Sequence, residues 1–241
     1  ELLNDGVNLM REHVMPTTRI HYVIPAAGDA PNVVPEYTKV WYYVRDINRE
    51  KVQEYYEWIL RIAEGAALAT GTTHKVHLIA GVHEYLLNRP LQEAMQANLE
   101  LVAAPVFSKE EQEFARSLQK FVGVDEVGFL DEIKQLAAEA ETPRGGSTDV
   151  AEVSYIAPTA GFSIATAAEG VPWHSWATTA CHGMSGGRKG AVVAAKVLAA
   201  TGADLLSQPS LLASTREFFE NATEGRTYES PIPIDQKPPL P

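Results

Sequence analysis

The chain has 241 residues, of which 45% are hydrophobic and 21% charged, enough to bury the core of one large domain or two modest ones. A net charge of -11 excludes a phosphate-binding surface of the nucleic-acid type, which needs clustered Lys and Arg. The single cysteine, Cys181, excludes an internal disulfide framework and suits a reducing, cytoplasmic compartment. No apolar run approaches the roughly 20 residues of a membrane helix, so no membrane partner is expected.

Taken in order, residues 1–14 interleave Leu2, Leu3, Val7, Leu9 and Met10 with polar positions, the pattern of an amphipathic helix. That helix has no initiator Met and no capping residue before it, so the natural N-terminus is expected to lie elsewhere. Residues 17–25 place Ile20, Tyr22 and Ile24 on one face of a strand and His21 on the other. A second strand is expected over 37–45 (YTKVWYYVR), which is rich in β-branched and aromatic residues. The connection between them holds Gly28-Asp29, Pro31 and Pro35, which forbid regular structure. Residues 48–70 predict a long helix burying Val52, Tyr55, Tyr56, Ile59, Ile62 and Ala66. A third strand is expected over 72–85. Pro90 then starts a helix at the first-turn position that proline tolerates. Helices interleaved with strands in this order predict a small α+β sandwich.

The character changes near Ala103-Ala104-Pro105. Ser108 with Glu111 forms a capping-box signature for a helix to about residue 121. Residues 139–148 (EAETPRGGST) make a polar break, and short apolar runs follow at 153–157 and 162–167. Helices are predicted over about 189–206 and 210–221. The proline-rich end from residue 230 should be extended, packed on the surface or disordered. These shifts divide the chain at 1–104, 105–229 and 230–241.

Among seven histidines, His13 reads as a helix-terminus partner. His74 and His77 would point to opposite faces of their strand, with His83 too distant to join either. His174 stands between Trp173 and Trp176, where indoles would shelter a neutral, metal-competent imidazole or simply pack a loop. His182 opens the segment HGMSGGRKG, read as an anion cradle at a helix start or as a flexible connector. Asp149, placed at the start of a short strand, could cap a helix, orient a histidine or ligate a metal. The chain has no P-loop, GxGxxG, GxSxG, HExxH or CxxC motif.

The ordered series GVNLMREH, RIHYVI, APNVVP, the strand to Arg45, GSTDVAEVS, VPWHSW and AAKVLAATGADLL covers nearly the whole chain. It resembles the metallo-aminoacylase and glutamate carboxypeptidase family, nearest to its p-aminobenzoyl-glutamate utilisation branch. The resemblance implies the latter part of a lid (dimerisation) domain with a βα sandwich in residues 1–104. It implies the C-terminal half of a zinc-peptidase-like α/β catalytic domain in 105–229. It also implies a metal-dependent amidohydrolase acting on an N-acyl or N-aroyl amino acid. By position, Asn32 would act near the scissile carbonyl, and Arg45, 13 residues later, would grip the substrate carboxylate. His174 would be a metal ligand, with His182 as the fallback and Asp149 as a possible partner to the ligands. The metal would be zinc, with manganese or cobalt open, and most of its ligands would lie outside this chain. The implied partners are a second copy through the lid and, where the remaining catalytic half is a separate chain, that chain. The isolated chain would be inactive. Two other readings stay open: a non-catalytic dimerisation or carboxylate-binding chain on the same fold, and a dipeptidase on the same scaffold.

Overall fold

The computed structural model describes residues 1–138 and 146–237. It divides into two compact units, Glu1–Tyr85 with Pro143–Glu152 and Glu229–Pro241, and Leu86–Thr142 with Val153–Tyr228. Each is taken by itself.

The first unit opens with α1 (Leu2–Met10), which runs into a 3-10 turn (Arg11–His13). Strands β1 (Arg19–Ala26) and β2 (Lys39–Arg45) form an antiparallel hairpin. Helix α2 (Arg49–Thr70) follows, capped at its start by the Asn48 side chain and at its end by Gly71 at φ 64°. Val7, Met10, Ile20, Tyr55 and Ile59 make the buried core, with Tyr42 and Val44 packed against it. Alternation along the strands therefore turns Ile20, Tyr42 and Val44 inward and Arg19, His21, Tyr43 and Arg45 outward. Gly6 lets α1 approach α2, since a Cβ there would meet Ile62 Cγ2 at 2.6 Å. The hairpin register slips between Val23 and Ala26, and Pro25, which has no N–H to give a ladder, falls within that slip. Burial lifts the Tyr42 phenol to a pKa of about 12, helped by neighbouring Tyr22 and opposed by Arg11.

The strand expected over 72–85 is irregular chain. A strand needs a ladder partner, and among the described residues the sheet stops at two strands. Some of the groups in this segment find other partners: Ile79 O accepts from Gln236 Nε2 at 3.0 Å, and the Glu84 carboxylate accepts from Arg49 N at 3.0 Å. Gln236 lies in the proline-rich end, so that part of the end packs down. Residues 238–241 and 139–145 lie outside the described residues.

The second unit is helical. It holds α3 (Arg89–Val102), α4 (Lys109–Val122), α6 (Trp176–Gly183), α7 (Ser185–Ser207) and α8 (Pro209–Thr223). The five-residue α5 (Val150–Ser154) spans the third point at which the chain passes from one unit to the other. Asn88 caps α3 and ties it to α8 through Thr215 O at 2.9 Å. The Ser108–Glu111 capping box of α4 forms as its sequence predicts. Ala115, Leu118, Phe129, Ala168, Val171, Ala177 and Cys181 form one core. Fully buried Gln119 accepts from Gly128 N at 2.8 Å and donates to Glu169 O at 2.7 Å, which satisfies loop backbone that the core excludes from water.

Helix α7 starts at Ser185, earlier than the sequence pattern suggests, so that it takes in Gly186 and Gly187 as well as Gly190. These three are buried contacts: an added Cβ would meet the Phe129 ring at 2.8 Å, Cys181 O at 2.6 Å and Ala165 O at 2.3 Å, respectively. A glycine-rich run that reads as a connector is thus a close-packing face. By length and composition α7 is also apolar enough to cross a membrane, with a mean hydropathy of 1.4, contrary to the sequence expectation. It packs on α3, α6 and α8, buries Val197 fully and ties Asp204 to Asn98 at 2.6 Å, while most of its length stays exposed. The helix-rich chain with a small antiparallel sheet agrees with the α+β part of the expected fold class.

Candidate functional site

The first unit carries Asn32, Arg45 and Asp149. Asn32 sits in a β-turn closed by Val33 N donating to Ala30 O at 3.1 Å, with Pro31 setting the preceding φ. Gly28, at φ 103°, lies under Pro35 and shapes the approach to that turn. The Asn32 side chain is exposed and forms no hydrogen bond with another described residue. Arg45 ends β2, directly opposite Arg19 at the start of β1. Its guanidinium lies 5.3 Å from the Tyr43 ring centroid, and Tyr43 meets Trp41 edge-on at 5.5 Å. Neighbouring Asp46 is occupied by the hydroxyls of Thr17 at 3.2 Å and Thr18 at 2.5 Å and by Ile47 N at 2.7 Å. The register places Arg45 at the hairpin end away from the Asn32 connection, with β2 spanning about 20 Å between. The structure thus groups Arg45 with Arg19 and His21.

Asp149 does not begin a strand: it immediately precedes α5, with its carbonyl accepting from Glu152 N at 3.0 Å. Thr148, rather than Asp149, offers a side-chain oxygen to that helix start, at 3.3 Å from Val150 N.

The second unit carries His174 and His182. Pro172 O accepts from Ser175 Oγ at 2.6 Å and from Thr178 Oγ1 at 2.7 Å, and Ser175 caps α6. These bonds pin the chain on both sides of His174, which is held at φ 61°, a conformation that non-glycine residues rarely adopt. The expected shelter is missing. His174 is exposed, Trp173 is 70% exposed, and Trp176 turns away to meet the Phe121 ring edge-on at 5.4 Å. Trp173 instead flanks His182, with ring centroids 6.0 Å apart. His182 lies in the last turn of α6, its Nε2 3.2 Å from Thr166 Oγ1. The glycines after it lie in the first turns of α7, where they serve as packing contacts. Lys189 there is bound to Glu111 at 2.7 Å and to Val106 O at 3.0 Å.

Among the described residues, no three His, Cys, Asp or Glu side chains come together to hold a metal ion. An exposed imidazole on a pinned turn fits one donor given to a site completed by other residues.

Sequence reasoning missed two features. His83 reads in the sequence as an isolated surface or core residue on a strand. Instead it packs on Glu152, whose Oε1 lies 2.5 Å from His83 N and 3.0 Å from its Nδ1. No local pattern links residues 69 positions apart. Arg19 carries no motif that singles it out, although strand alternation puts it on the same hairpin face as His21 and opposite Arg45.

No protein-family model matches the chain. It is 31% identical over 262 residues to a subunit of the p-aminobenzoyl-glutamate hydrolase of Escherichia coli (strain K12), an alignment covering 98% of this chain and 54% of that protein. The chain is a homologue of named amidohydrolases and peptidases. It is also 28% identical to the Xaa-Arg dipeptidase of Homo sapiens (91% of this chain, 44% of the relative) and 27% identical to that of Mus musculus (89% and 43%). The resemblance drawn from APNVVP, GSTDVAEVS and VPWHSW therefore holds, and all three relatives are hydrolases by name. The chain spans about half the length of the curated relatives it matches.

Proposed function

We propose that the chain is part of a metal-dependent amidohydrolase that cleaves the amide of an N-acyl or N-aroyl amino acid, in the manner of p-aminobenzoyl-glutamate. Similarity to a p-aminobenzoyl-glutamate hydrolase along 98% of the chain carries this reading. Residues 1–104 act as the latter part of a lid that pairs two copies, and 105–229 as the C-terminal half of the catalytic domain. The rest of the catalytic domain is supplied in the same polypeptide or by a second chain.

Arg45 holds the substrate carboxylate. Its exposed fork has no competing acid among the described residues and is steadied by the Tyr43 ring. Asn32 presents its amide N–H groups from a turn, as a donor to the carbonyl oxygen where negative charge develops. Since the two lie at opposite ends of the hairpin strands, they make separate contacts. His174 gives one imidazole to a divalent metal, zinc before manganese or cobalt. His182, engaged by Thr166, is the fallback, and Asp149 is a possible partner to the ligands. When bound, such a metal supplies an activated water and polarises the amide carbonyl. The buried, unpaired Cys181 accords with a cytoplasmic setting.

Assay of the 241 residues alone, and again with a counterpart of the relatives' other half, tests the reading. Turnover of N-aroyl-glutamate and stoichiometric metal binding are expected only in the second case. Turnover by the chain alone, or none in the complemented protein, overturns it. In the complemented enzyme, Arg45→Ala should raise KM for the free acid by about tenfold or more and leave the ester nearly unchanged. Similarity to Xaa-Arg dipeptidases supports a second reading, cleavage of a dipeptide. An Arg-rich hairpin end favours a carboxylate-rich substrate over one carrying a further cation.

A further inference from the structure

The open end of the hairpin holds more positive charge than its fold uses. Arg19 and Arg45 are direct cross-strand partners on the outward face, where like charges destabilise a sheet. Among the described residues, neither forms an ion pair. Arg19 spends its Nη1 on the carbonyls of Pro16 and Thr18, at 2.7 and 2.8 Å, which leaves the rest of its fork to other partners. Asp46, the nearest acid in sequence, is committed to Thr17, Thr18 and Ile47. Beside Arg19 opens a cavity of about 390 Å³ whose wall includes Arg11, His21, Met15 and Pro16 and no acidic residue. Arg11 itself lies over the Tyr22 ring, 6.0 Å from its centroid. All this occurs in a chain of net charge -11.

We propose that Arg19 is a second carboxylate-binding residue, forming with Arg45 a site for both carboxylates of an acidic N-acyl amino acid. This rests on the role given to Arg45 above and adds to it the choice of side chain. The two carboxylates of a glutamyl group are joined by a three-carbon chain, a span comparable with the roughly 5 Å between directly opposed residues of an antiparallel pair. Arg45 takes one carboxylate. Arg19, at the mouth of the cation-lined cavity, takes the other, and the anion relieves the repulsion between the guanidinium groups. Tyr43 and Trp41, next along the same face, offer rings to an aromatic acyl group.

Calorimetric titration of the 241-residue chain with N-benzoyl-L-glutamate and with N-benzoyl-L-glutamine tests this, since the two ligands differ only in the second carboxylate. The wild type should prefer the glutamate derivative by about tenfold or more. Arg19→Gln should erase that preference while leaving the glutamine derivative within about twofold, and Arg19→Lys should retain part of it. Arg45→Gln should weaken both ligands. A melting temperature for Arg19→Gln at or above that of the wild type shows that the variant folds. Equal weakening of both ligands by Arg19→Gln gives Arg19 a merely structural role and overturns the proposal. So does the absence of preference, or of saturable binding, in the wild type. If Arg45→Gln leaves both ligands unaffected while the preference still depends on Arg19, the role of Arg45 fails and that of Arg19 stands. The amidohydrolase reading is judged separately, by turnover in the complemented protein.

Discussion

Lys189 in the helical unit and Arg45 at the hairpin end are both exposed cations, yet their surroundings differ. Lys189 is bound at 2.7 Å to Glu111, which also accepts from Ser185 Oγ at 2.5 Å and Ser108 N at 2.7 Å. Its charge helps hold the start of α4 against the start of α7. Arg45 has a tyrosine ring beside it and another guanidinium across the ladder. A cation with its bonds made serves the fold, whereas one held in place without an anion is available to a ligand. The same contrast separates buried Gln119, fully spent on loop backbone, from exposed His174, pinned in an unfavourable conformation with its ring bonded to none of the described residues.

The strongest way to test the structural side of this contrast is Gly190→Ala. Its Cβ would sit 2.3 Å from Ala165 O, a backbone atom that cannot step aside. A loss of about 3 kcal/mol in urea-monitored stability is expected, despite alanine's better helix propensity. Next comes Glu111, whose carboxyl is held down to a pKa of about 2, from an ordinary 4.5, chiefly by Lys189, then Ser185 and the Ser108 N–H. The folded pKa is depressed, so the stabilisation is present above pH 4.5 and is lost as pH falls towards 2. Glu111→Gln should flatten the acid limb of the stability curve across that window, and an unchanged slope would remove the Lys189 network from the account.

On the functional side, His174→Gly should leave stability unchanged or raise it by up to about 1 kcal/mol, because glycine adopts a positive φ without strain. The same change should abolish metal binding in the complemented enzyme, measured by equilibrium dialysis. The smallest effect is expected at the hairpin, where Arg19→Gln should stabilise the ligand-free chain by about 0.3 kcal/mol through loss of a like-charge pair. A clear loss of stability there would show that Arg19 serves the fold after all.

Much of the helical frame was legible because its signals are local. Ser108 with Glu111 announced one helix start and Pro90 marked the first turn of another, while α2 was legible from its apolar periodicity; the Asn48 and Asn88 caps emerged only in the structure. The hairpin was legible from alternation around Ile20 and from YTKVWYYVR. What failed was non-local. Residues 72–85 carry strand-forming residues but make no ladder, and Glu152 is aligned with His83 only by folding. The shelter expected of Trp173 and Trp176 failed because neighbouring residues in sequence need not wall one another. Trp176 found Phe121, and Trp173 found His182.

The sequence by itself determined several of the helices, which hairpin face is apolar, and a motif series that pointed to the homologues. Periodicity, capping and short motifs act over a few residues, so they survive being read as a string. Tertiary structure alone decided that the glycines after His182 are packing surfaces within α7, that His174 stands in the open, and that Arg19 faces Arg45 across the ladder with no acid paired to either among the described residues. Each of these depends on which atoms meet across dozens of residues, and on which charges then lack a partner.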